Sequence, residues 1–179
     1  MKHIIPALAI LALPLAAQET QLPQPGFIQL NFEMPVQGLK DQVDHRMGLG
    51  GSLGYVFYGS GKANHPNLTL AVKLDTDEFS NGSTHREAHG VGIGGEFTVY
   101  FQSGFRGAYL SAAPSLCVWS LTDRDQGSLA NRHYVRGGGT IALGYRFARD
   151  YSLEAHWKSV TLDQDLQLSS FGLGLKLHF

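Results

Sequence analysis

The segment "HREAH" sets His85, Glu87 and His89 two residues apart. On an extended chain that spacing turns all three side chains to one side, and two imidazoles with a carboxylate form a donor set for Zn or Cu. The order is not H-E-x-x-H, so the helical two-histidine arrangement of a metalloprotease is excluded. Solvated loop histidines are the ordinary alternative, and the reading assigns no metal. Two glycine-rich stretches fail as nucleotide sites. "GVGIGG", residues 90–95, matches G-x-G-x-x-G, but the strand-like "EFTVYF" follows where phosphates need a helix N-terminus. "GSGKA", residues 59–63, lacks the first glycine and the closing Ser or Thr of a P-loop. No cofactor is expected. His156 and Ser159 are the residue types of an activated serine, yet three positions apart on a strand they face opposite ways and cannot share a proton. Cys117, the single cysteine, offers no intramolecular disulfide and reads as a small buried hydrophobe.

A larger set of ionisable side chains recurs on one side of alternating segments: Glu33, Arg46, Lys73, Glu96, Arg136, Arg146, Glu154, His156, Lys158, Lys176 and His178. If those sides face an enclosed interior, the charges must pair with one another or meet trapped water. Arg146, Glu154 and Lys176 fall on consecutive segments toward one rim, which predicts a cross-strand cluster. A polar plug is expected. A narrow conducting path is the alternative, and its cationic excess would favour anions.

The elements that position these groups follow from the patterning. In "FGLGLKLHF", Phe171, Leu173, Leu175, Leu177 and Phe179 share one face of an extended strand, and Gly172, Gly174, Lys176 and His178 share the other. Seven earlier segments alternate in the same way, from "FIQLNFEM" at 27–34 to "YSLEAHWK" at 151–158. Pro114 interrupts the fifth and demands a bulge or an unpaired N–H. The predicted connections are 35–45, 59–67, 75–89, 102–107, 122–133, 148–150 and 161–167. Odd-numbered connections are generally longer than even ones, which places both termini at a short-turn rim. Ten acids, Asp41, Asp44, Asp75, Asp77, Glu78, Glu87, Asp123, Asp125, Asp163 and Asp165, fall in the long connections, which read as solvated polar loops, with divalent-cation binding the alternative.

The 179 residues suffice for one domain with a sizeable interior. The formal net charge of −1 gives no electrostatic case for nucleic acid. Charged residues make up 16%, below the roughly 25% of a soluble domain. Lys2 followed by "IIPALAILALPLAA" has the layout of a secretory signal, expected over 1–17, with the mature domain over 18–179. A soluble eight-stranded cup would also alternate, but its polar face would meet water and be densely charged. Here that face is mostly Gly, Ser, Thr and Ala, which suits a narrow lumen. Aromatics near strand ends, among them Tyr55, Tyr100, Trp119, Tyr145 and Tyr151, suit two membrane interfaces. The fold class expected is all-β, an eight-stranded antiparallel up-and-down transmembrane barrel.

The ending "FGLGLKLHF", the hairpin "GYRFARDYSLEAHWK" and the signal segment resemble the small outer-membrane barrel proteins of Gram-negative bacteria, the group around outer membrane protein A with its opacity-like and W-type relatives. The resemblance implies that the last strand, with Phe171, Leu173, Leu175, Leu177 and Phe179, is read by the barrel-assembly machinery. It also implies outer-membrane lipid and lipopolysaccharide as surroundings, and periplasmic termini. Because the chain stops at its last strand, no peptidoglycan-binding domain is expected. The function expected is structural or surface-interacting and not enzymatic. The alternatives are a channel or carrier for small ions or hydrophobic molecules and, since some small barrels of this group deacylate or re-acylate lipopolysaccharide, a lipid A-modifying enzyme.

Overall fold

A computed structural model describes residues 24–43, 47–61, 66–81, 86–123, 130–163 and 166–179. The signal segment 1–17, Arg46, His85, Asp44, Asp125 and Asp165 lie outside them. Eight strands run β1 Gly26–Val36, β2 Gly48–Ser60, β3 Asn67–Asn81, β4 Arg86–Tyr100, β5 Gly107–Asp123, β6 Ala130–Arg146, β7 Tyr151–Asp163 and β8 Leu166–His178. Each pairs with the next, and β8 returns antiparallel to β1, so the sheet closes into a barrel. At the seam, Gly26 and Phe179 exchange two backbone hydrogen bonds of 2.9 Å, so the last residue itself closes the wall.

The alternation sorts the two faces. Leu173 is 59% exposed on the outside while Lys176, three residues on, is 2% exposed inside. The same division holds around the wall, with Ile28, Leu30, Leu53, Val72, Ile93, Leu110, Ile141 and Leu153 all exposed. Water would penalise such a belt heavily, whereas hydrocarbon would not. Pro114 is also outward. Pairing to β4 stops between Gly94↔Ser115 and Phe97↔Ala112 and resumes unshifted, so an interrupted ladder, not a bulge, accommodates the missing N–H.

Strand ends differ from the sequence reading where it placed connections at 75–89 and 122–133. β3 continues to Asn81, β4 begins at Arg86, β5 reaches Asp123 and β6 begins at Ala130. In β3, β4 and β5 the two-residue alternation continues into these polar stretches. Asp75 and Asp77 therefore stand inside the barrel, not in a loop. Only the connection after β1 is longer than those at the terminus end, so length asymmetry does not distinguish the rims. That connection holds a short helix, α1 Gln37–Gln42, which the sequence reading missed. Trp119 and Tyr100, expected at membrane interfaces, point inward and are buried.

Candidate functional site: a polar lumen

Three layers fill the lumen between the terminus end and the end that carries α1. In the middle layer, Lys176 on β8 meets Glu154 on β7 at 2.5 Å and Glu96 on β4 at 3.1 Å. Lys73 on β3 lies 3.5 Å from Glu96 and 3.3 Å from Asp75. The Tyr109 hydroxyl and Gln29 Nε2 donate to Glu154 at 2.8 and 3.3 Å, and Ser52 donates to Asp75 at 2.6 Å. The Lys176 ammonium also sits 4.5 Å from the centre of the Phe27 ring, a cation–π contact. Nearer α1, His156 Nε2 and Glu33 Oε1 are 2.7 Å apart, and Lys158 on β7 reaches across to Asp77 on β3 with two bonds of 2.7 and 2.9 Å. Because β3 and β7, like β4 and β8, face each other across the barrel, these pairs brace opposite walls. Glycines make the space: a side chain at Gly172 would strike His156 and Glu33, and one at Gly144 would strike the Tyr109 ring.

Among the described residues, apolar clusters occupy both ends of the lumen. At the α1 end, Leu39 and Val43 join Phe79, Ala88, Cys117, Trp119, Leu121, Val160, Leu162 and Leu168 in one buried cluster. At the terminus end, Phe105 packs edge-on against Tyr100 at 5.7 Å, and Tyr100 leans on Tyr109 at 5.0 Å. Phe105 holds φ at 55°, in the left-handed region that costs a non-glycine residue roughly 1–2 kcal/mol. Between this mouth and the ion pairs, Glu96, Thr98, Tyr100, Arg146, Lys176 and His178 leave a void of about 10 Å³, on the order of a single water.

The residues proposed from sequence divide as follows. Glu33, Lys73, Glu96, Glu154, His156, Lys158 and Lys176 are brought together inside. His178 is inside but bonds Ser152 at 2.9 Å, away from the carboxylates. Lys176 and Glu154 form the expected cluster without Arg146, which turns toward the terminus end and donates to the Arg149 carbonyl and, at 2.7 Å, to Gln24. Arg136 is not a lumen residue. It lies exposed on β6 beyond the last rung paired with β7, and its Nε donates to the Leu162 carbonyl at 2.7 Å. Asp75 and Asp77 enter in its place, and with Glu33, Glu96 and Glu154 they face Lys73, Lys158, Lys176 and His156. The cationic excess read from sequence is thereby gone. The signal for both aspartates was their parity with Lys73. Glu87 and His89 stand on β4, 3.8 Å apart at the barrel's outside, and no three-donor metal cluster forms among the described residues. His156 faces Glu33 inside, whereas Ser159 bonds Ser169 at 3.1 Å on the other face.

The barrel resembles the N-terminal β-barrel domain of Pseudomonas aeruginosa OprF with a TM-score of 0.62 at 15% identity, covering 87% of this chain and 98% of that one. The fold is that of the small eight-stranded outer-membrane barrels. Two further barrels of this kind align almost end to end with this one. Ail, the attachment invasion locus protein of Yersinia pestis, gives a TM-score of 0.57 at 11% identity over 88% of this chain and all of that one. The outer membrane enzyme PagL gives 0.57 at 12% identity over 84% and 99%. No protein-family model matches the chain, and no curated protein does. One barrel thus carries an attachment protein and an enzyme alike, so function must be argued from the interior and rims of this one.

Proposed function

We propose that this chain is an integral outer-membrane protein with a closed lumen, serving a structural and surface-interaction role without chemistry of its own. The observation that carries the reading is the packed interior: paired charges braced across opposite walls, with apolar clusters at both ends. The termini are periplasmic. At the other end the apolar rows give way to Thr76, Glu78 and His89, so that the strands project beyond the hydrocarbon, as suits an outer rim. Residues 1–17 direct export, and the row from Phe171 to Phe179 is the segment that the assembly machinery engages. Purified protein in a planar bilayer is expected to give a flat baseline. Steady single-channel steps would favour the conducting alternative and sink this reading.

The surface role is supported by β6, where Arg132, His133 and Arg136 are exposed at the projecting end. Ail, of similar fold, has been seen in complex with the heparin analogue sucrose octasulfate. We infer a preference for polyanionic glycans, lipopolysaccharide phosphates included. Retention on a heparin column should fall in Arg132→Ala/Arg136→Ala, and unchanged retention would remove the inference.

A further inference from the structure

We propose that a bounded groove on the outside of β5–β8 holds one lipid acyl chain in a fixed place; the proposal rests on the membrane reading above. The groove, of about 440 Å³, is lined by Ala108, Leu143, Tyr145, Leu153, Ala155 and Leu173, with the backbone of Gly144 and Glu154 as its floor. Its origin lies in two rungs of the wall. Ala108 pairs with Tyr145, which pairs with Leu153; Leu143 pairs with Ala155, which pairs with Leu173. Each rung carries one alanine among large side chains, and both alanines are half-buried where their neighbours stand proud.

Bulky rungs flank the recess at both ends. Toward the termini, Phe147 and Tyr151 stack at 6.2 Å with an interplanar angle of 11°. Toward the middle, Ile141, Trp157 and Phe171 form an unbroken bulky rung. Aromatic pairs of this kind mark the headgroup boundary. The groove therefore begins just inside that boundary, where the acyl chains of the terminus-side leaflet begin. A void among aliphatic side chains forfeits dispersion contacts, and a flexible chain restores them. A second barrel's wall would meet this floor only with single side chains between the rims of Tyr145, Leu143, Leu153 and Leu173, whereas an acyl chain follows it continuously. The occupant fixed by place and chemistry is a phospholipid chain.

The test reconstitutes the full chain in phosphatidylcholine vesicles containing a phospholipid with a diazirine on its acyl chain. After irradiation, digestion and mass spectrometry, label should be enriched severalfold on the peptides carrying residues 143–145 and 153–155 over the outward Ile28 and Leu53 wall. Ala155→Phe and Ala108→Phe, which fill the recess, should erase the enrichment and leave labelling of the control wall unchanged. Ala155→Leu serves if either fails to show the heat-dependent gel shift of a folded barrel. Even labelling around the barrel, enrichment that survives filling, or protection of this wall in a chemically cross-linked dimer would overturn the groove and leave the membrane reading standing. No label on any outward strand would overturn both.

Discussion

Lys176 is the residue on which the interior turns, because its ammonium touches Glu154 and Glu96 from opposite sides of the lumen. Removing one partner of a buried pair strands the other charge, which typically costs about 3–5 kcal/mol. Lys176→Met is expected to lower unfolding stability in lipid vesicles by that order, measured by urea titration. Adding Glu154→Gln should restore part of the loss, since the stranded carboxylate is then gone. Strictly additive losses would mean that the two side chains do not act together. The participation of Lys176, Glu154 and Glu96 was legible from their shared parity. What the sequence hid was distance: alternation says which side a residue faces but not which of seven other strands it will meet. Asp75 and Asp77 were misplaced for a different reason. Acidic, turn-prone residue types outweighed a parity that Lys73 had already set, and tertiary ion pairs, Asp77 with Lys158 and Asp75 with Lys73, offset their burial.

At the scale of elements, α1 is the piece that sequence could not supply. Six residues, Gln37–Gln42, give less than two turns, no side chain caps its start, and a period of 3.6 cannot be read from so few positions. Its place is decided by tertiary packing of Leu39 and Val43 onto Phe79, Trp119, Leu162 and Leu168. Cys117, buried in the same cluster, reports on it. With Leu39→Asp, a carboxylate is forced among apolar side chains, the cap loosens, and Cys117 should react with a small thiol reagent much faster than in the parent. Conductance should nonetheless remain flat, because the ion pairs below still close the lumen. A current appearing in Leu39→Asp alone would show that the cap, not the charges, is the seal. The same variant with no gain in Cys117 reactivity would show that α1 does not shield the cluster.

The whole barrel was the most legible level, and for a physical reason: a wall with one face in hydrocarbon and one in a narrow lumen imposes a strict two-residue repeat on every strand. Strand number, pairing order and the facing of the apolar rows followed from that repeat. Strand ends did not, since the repeat persists beyond the apolar belt in β3 to β5 while the outward residues turn polar. The membrane reading itself can be tested along one row. Phe171, Leu173, Leu175, Leu177 and Phe179 step across the outside of β8, with the last at the terminus end. Single arginine substitutions on the lipid face of a barrel cost about 2–4 kcal/mol at the bilayer midplane and about 0–1 near the interfaces. The five variants, unfolded reversibly from vesicles, should trace a profile that peaks at Leu173 or Leu175 and falls toward Phe179. A flat profile would mean that this row does not cross a hydrocarbon slab. A soluble cup would additionally need these side chains enclosed, and their exposure in the closed barrel runs against that. Depth dependence therefore tests the environment of the wall separately from the fold that both readings share.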